Sequence, residues 1–227
     1  MPDHKIVYQH ETERYESLIS REDYQHNILP ALKRLTQLVG KDIIELGAGT
    51  GRLTCMLAPV VKSILAYDTS QNMLEIAIQK LESSRITNWH VETGDHRHLP
   101  AQDQSADIAI SGWSVCYLVD WNRDDWVEQV EKALDEMKRV LRPGRMIILL
   151  ETLGTGYETP HFPDHLTDYY QFLADKGFSS TWIRTDYKFR SIEEAQKLIR
   201  FFFGAELAEQ TRSVFLPECT GIWCKKV

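Results

Sequence analysis

The run Ile43-Ile44-Glu45-Leu46-Gly47-Ala48-Gly49-Thr50-Gly51-Arg52-Leu53-Thr54 constrains the fold of this chain more than any other segment. Two β-branched residues lead into an acid, three glycines follow on alternate positions, and a helical pattern takes over. Glycine at this spacing lets the backbone turn tightly from strand to helix and lets a ligand come close, because no Cβ stands in the way. Leu53, Met56, Leu57 and Val60 then mark one face of a 3.6-residue period. A helix starting there aims free N–H groups over the loop. A dinucleotide fingerprint, G-x-G-x-x-G, needs its third glycine at position 52, which is Arg52; the third glycine comes one residue early, at Gly51.

Strand and helix patterns alternate after this turn, which predicts an α/β chain with a parallel sheet covered on both faces. Strands are expected at 63–67, ending at Asp68, and at 89–93, 106–111 and 146–151. Helices are expected at 71–83 and at 124–141, the latter carrying Val127, Val130, Leu134, Met137 and Leu141. The second stops at Leu141-Arg142-Pro143-Gly144, since proline and glycine together break a helix. The last third reads as a helix over 164–176 stopped by Gly177, an extended stretch at 178–189, and a helix to about Phe203 that Ser191 and Glu194 start as a capping box. Residues 221–227 close as a strand. Ahead of the first strand, 23–38 reads as helical with Pro30 as a bend.

A net charge of −7, with no basic run beyond pairs such as Lys225-Lys226, counts against a nucleic-acid partner, whose phosphates call for a basic patch. The 43% hydrophobic content suffices for a sizeable core in 227 residues. There is no apolar run of about 18 residues to cross a membrane and no charged-then-apolar leader. Cys55, Cys116, Cys219 and Cys224 are scattered without a C-x-x-C pair, which predicts reduced thiols in a cytoplasmic protein and no metal site.

The E-x-G-x-G-x-G form resembles the first motif of class I S-adenosylmethionine-dependent methyltransferases, and the resemblance extends over about residues 40–151. It implies a doubly wound, mostly parallel seven-stranded sheet, Rossmann-like, in one domain. Its parts would be an N-terminal cap (1–42), a cofactor-binding core (43–151), an acceptor-side cover with a helical insertion (152–210) and a last strand (211–227). It further implies a cofactor, S-adenosylmethionine, over Glu45, Gly47, Ala48, Gly49 and Gly51. Asp68, with Thr69 and Met73 beyond it, matches the family's ribose acid; one carboxylate accepts from two hydroxyls. As a helix N-cap, Asp68 also makes structural sense. Gly94-Asp95-His96 matches the place where an acid takes the adenine amino group and the next N–H reaches the ring, though Asp95 also suits a turn. The side chains of His96 and His98 read as solvated. Ser111, Gly112 and Trp113 match the strand end beside the transferable methyl, with Trp113 either a pocket wall or core.

For the acceptor, the expected pocket residues are Tyr15, Tyr117, Glu151, His161, His165 and Tyr169, with no catalytic residue singled out. The N-terminal extension either folds over the cofactor or packs on the sheet edge. A small-molecule acceptor is the leading expectation. An RNA or protein methyltransferase, a nicotinamide-binding protein and a non-catalytic relative remain open beside it.

Overall fold

The computed structural model describes residues 4–227, so the first three residues of the expected N-terminal cap lie outside the described residues. The core is built on β1 (Asp42–Leu46), β2 (Ser63–Asp68), β3 (Trp89–Thr93), β4 (Ala106–Gly112) and β5 (Leu141–Thr155). Near the C-terminus, β6 (Ser179–Arg184) and β9 (Glu218–Lys226) complete one seven-stranded sheet in the order β3-β2-β1-β4-β5-β9-β6. The pairs among β1 to β5 are parallel, and β9 runs antiparallel between β5 and β6. This is the doubly wound, mostly parallel seven-stranded sheet that the resemblance implied.

Side-chain alternation sorts the sheet residues into two cores. Ile44, Leu46, Ala109, Ile147 and Leu149 face α6 (Cys116–Trp121), α7 (Trp126–Val140) and α8 (Thr167–Asp175). Ile43, Ile108, Ile110, Ile148 and Leu150 face α3 (Ile28–Leu35), α4 (Arg52–Leu57) and α5 (Gln71–Ser83). A third core lies off the sheet. There Val7 of α1 (His4–His10) and Leu18 of α2 (Thr12–Ile19) pack with Leu198, Ile199 and Phe202 of α9 (Ile192–Phe202). The insertion between β6 and β9 also holds α10 (Ala205–Gln210) and a two-stranded ribbon of β7 (Tyr187–Lys188) and β8 (Phe215–Leu216).

Several boundaries differ from the sequence reading. The Pro143-Gly144 pair does not precede a strand but kinks one: Leu141 already pairs with Ala106, the register then shifts, and Gly144, at φ 75°, donates to the Val227 carbonyl. The same strand runs four residues past Glu151, to Thr155, where β9 still pairs with it. Helix α6 has no counterpart in the reading; with α7 starting only at Trp126, Val127 is exposed rather than inward. The expected 23–38 helix begins at Ile28, because Asp23 adopts φ 54° and its carboxylate accepts from the N–H groups of Asn27 and Ile28. Pro30 therefore falls in the first turn, where a missing N–H goes unnoticed.

Ser191 caps α9 by accepting from Glu194 N–H at 3.1 Å, while the Glu194 carboxylate takes Arg190 N–H at 2.6 Å. Ser191→Ala should therefore lower unfolding free energy by about 1 kcal/mol, the worth of an N-cap. Urea titration checks this; an unchanged midpoint would leave the cap without energetic weight.

Candidate active site

In an open α/β sheet the ligand crevice lies beyond the C-terminal strand ends, where the strand order reverses. Here that point is between β1 and β4, and a cavity of about 610 Å³ opens there. The loop after β1 forms its floor. Gly47 and Ala48 both donate to the Tyr67 carbonyl, at 2.8 and 2.9 Å, which draws the loop down onto the end of β2. Gly47 has φ 71°, and a Cβ on it would stand 1.8 Å from Ser114 Oγ and 2.9 Å from His96 Nε2, so no other residue fits. A Cβ on Gly49 would meet nothing within 4 Å. That side of the loop is open to a ligand.

Two acids frame the floor. The Glu45 carboxylate is 1% exposed and accepts from Thr54 Oγ1 at 2.6 Å. Burial, with the Asp68 charge adding to it, pushes its pKa up to about 8. Asp68 accepts from Gly49 N–H and Ser70 N–H, both at 2.8 Å. Ser70, not Asp68, is the N-cap of α5, since its hydroxyl accepts from Met73 N–H. His96 is a pocket residue rather than a solvated one: its Nε2 lies 2.7 Å from Ser114 Oγ, and burial lowers its pKa. His98 is exposed.

Of the expected cofactor residues, Glu45, Gly47, Ala48, Gly49, Asp68, Thr69, Met73, His96, Gly112 and Trp113 line this cavity together. Four do not. Gly51 sits behind the loop as the N-cap of α4. Gly94 packs against Tyr67 and Pro100. Asp95 is taken by Arg97, whose Nε, Nη2 and backbone N–H all donate to its carboxylate, at 2.6 to 2.8 Å, holding its pKa down at about 2. Ser111 shares the face of Ala109 and is fully buried, its hydroxyl without a partner among the described residues.

The acceptor expectations divide more sharply. Tyr15 and Tyr117 line the cavity. Glu151 shares Leu149's face of β5, away from the cavity, and accepts from Cys116 N–H and Tyr169 O–H. Burial lifts its pKa to about 7. Tyr169 is thereby spent on Glu151, His161 stacks on Tyr157 at 4.0 Å, and His165 lies 3.7 Å from Asp120. None of these four reaches the cavity. The 152–210 segment is thus not the lining of the site. The N-terminal helices are: Tyr8 and Gln9 of α1 face the cavity, and their carbonyls accept from Ser70 Oγ and Asn72 Nδ2. Tyr8, Tyr15 and Tyr117 meet edge to face, with centroids 5.2 and 5.4 Å apart, and Trp121 stacks beside Tyr117. Burial raises the pKa of all three tyrosines, which keeps their hydroxyls neutral.

Arg52, which entered the sequence reading only as the missing glycine, stands in the wall. Its guanidinium lies 3.4 Å from the Trp113 ring centroid, and Glu22 pairs with it. Trp113 itself holds φ 51°, a strained backbone for a bulky residue, and donates to the Leu150 carbonyl at 2.6 Å. Among the described residues, no group of three or more metal-ligating side chains is assembled.

Residues 44–149 match the family model described as a methyltransferase domain. Demethylmenaquinone methyltransferase from Staphylococcus haemolyticus is 31% identical over 152 residues, covering 64% of this chain and 59% of that protein. The enzyme of the same name from Staphylococcus aureus is 30% identical over 173 residues, 74% of this chain and 66% of its own. The chain thus spans somewhat under two thirds of these curated relatives. A SAM-dependent methyltransferase of Aquifex aeolicus superposes with a TM-score of 0.59 at 15% identity, covering 99% of this chain and 94% of that one. Phosphoethanolamine N-methyltransferase 1 of Haemonchus contortus, solved with phosphoethanolamine and S-adenosylhomocysteine, gives 0.51 at 20% identity, over 85% of this chain and 41% of its own. Both superpositions are likenesses of fold.

Glu45 yields a pH test of the site. Its folded pKa of about 8 exceeds the ordinary 4.5, so the folded state holds the proton more tightly than the unfolded chain. Its contribution to stability is present below about pH 4.5 and is lost as pH rises toward 8. Unfolding free energy should therefore fall over that window, and less steeply in Glu45→Gln. Parallel slopes in urea titrations at several pH values would show that Glu45 ionises normally.

Proposed function

We propose that this chain, a class I methyltransferase by its fold and its matched domain, uses S-adenosylmethionine to methylate a small-molecule acceptor. The observation that carries this reading is a cavity at the sheet's switch point lined both by a glycine floor with Asp68 and Glu45 and by the aromatic residues Tyr8, Tyr15, Tyr117 and Trp113.

The residues present fit the cofactor. The open side of Gly49 leaves space where a side chain would intrude, and Asp68, already fixed by two backbone N–H groups, retains acceptor capacity for a ribose diol. When bound, the cofactor supplies a methyl group made electrophilic by its sulfonium. The work left to the chain is to position an acceptor and keep water out. Helices α1 and α2 cover the cavity, and the aromatic wall offers a planar, mostly apolar surface with neutral hydroxyl donors. This mixture suits a small ligand. The net charge of −7 supports the same reading over a nucleic-acid acceptor.

S-adenosylhomocysteine should stabilise the protein and NAD should not. At about 100-fold over Kd the gain is roughly 2.7 kcal/mol, on the order of 5 to 10 °C in thermal midpoint for a chain of this length. Equal shifts with NAD would sink the reading.

Removing residues 1–10 takes Tyr8 out of the wall and the α1 carbonyls from Ser70 and Asn72. Turnover on an identified acceptor should then drop by more than tenfold, with cofactor affinity falling less. Kinetics that leave turnover intact would reduce α1 to a cover of the sheet.

A further inference from the structure

Arg52 is the wall residue whose chemistry the methyl-transfer reading leaves unused. Its side chain is only 16% exposed and its Nη1 pairs with Glu22, yet Nε and Nη2 find no protein acceptor among the described residues. Arg139, a structural arginine, spends its donors on Glu136, Asp103 and the carbonyls of Ala101 and Leu99. Arg97 spends its own on Asp95 and Gln129. Arg52 instead rests flat on Trp113 and is held by one carboxylate, that of Glu22, which is not part of the cavity wall. A guanidinium is a planar fork of five N–H donors that matches a carboxylate in bidentate fashion. Stacking and the ion pair immobilise this fork and leave its Nε and Nη2 donors unfilled among the described residues.

We propose that Arg52 is the carboxylate receptor of the cavity: its fork, flattened on Trp113 and anchored by Glu22, receives a carboxylate that a ligand carries in. The assignment rests on the methyl-transfer reading, which admits two sources of that group. One is the amino-acid end of the cofactor. The other is an acidic acceptor, lying against Trp113 and Tyr15.

Calorimetry on the full chain separates them. The first arm compares S-adenosylhomocysteine with its decarboxylated analogue, which keeps the amine. The second titrates benzoate against benzamide, with and without saturating S-adenosylhomocysteine. Both arms are run on the wild type and on the doubly substituted Glu22→Gln/Arg52→Met protein, since removing one partner alone would strand a buried charge. If the cofactor is the source, the wild type prefers the carboxylate form by roughly 10- to 100-fold, the worth of charge-assisted hydrogen bonds, and the double variant binds both forms alike. If the acceptor is the source, that preference is absent, but the wild type binds benzoate over benzamide and the double variant does not. A double variant that discriminates as the wild type does, or a wild type that discriminates in neither arm, overturns the proposal. Failure of the wild type to bind either adenosyl ligand would instead overturn the methyl-transfer reading, and the benzoate arm on ligand-free protein would still report on Arg52.

Discussion

The site depends on one close approach. Gly47 lies so near Ser114 and His96 that not even a methyl group fits between them, and this contact joins the turn after β1 to the loop after β4. Two N–H groups of the turn converge on the Tyr67 carbonyl, so the end of β2 is tied to the same point. Three strand ends are thereby held at fixed separation, and the cavity is the space they leave. A parallel sheet supplies the strand ends; only the glycine turn brings them close enough to share a ligand.

A second consequence concerns the insertion near the C-terminus. It does not reach the cavity, yet it decides how the cavity is closed. Helix α9 packs its apolar face on α1 and α2, and Tyr187 of β7 donates to Glu22, which in turn pairs with Arg52. Glu218 of β9, fully buried and pushed up to about 8, lies in the field of the same carboxylate. Position is thus passed from the sheet edge through the insertion to the N-terminal helices. The aromatic wall owes its order to residues far from it in sequence.

What the sequence made legible was what local chemistry decides. The turn at 47–51, the alternation of strands and helices and the cap at Ser191 each follow from backbone geometry or a period, and each stands in the structure. Legibility ended where a partner had to be chosen. Asp95 carried the right residue type after the third strand, but Arg97, two residues on, claims its carboxylate. Glu151 was placed at the right strand end, but alternation turns it toward Tyr169 instead of the cavity. His161 and His165 were chosen for their chemistry, and no pattern in a loop says which way it faces. Conversely, Tyr8 and Trp121 belong to the wall through a tertiary contact between α1 and α6 that no local signal announces.

The Arg52–Glu22 pair shows why such contacts bear on function more than on folding. Taking two charges out of water carries a desolvation cost that their attraction recovers only with excellent geometry and further hydrogen bonds, and apolar replacements of equal volume are often as stable. This pair is only partly satisfied: one Glu22 oxygen meets Arg52 and Tyr187, while the other is buried with no partner among the described residues. Stability is a poor reason for its presence. A ligand that completes the guanidinium's hydrogen bonds supplies a better one, because the ordering of the fork has then been met by folding and not by binding. The strained backbone at Trp113 fits the same account, since it holds the ring on which the fork lies.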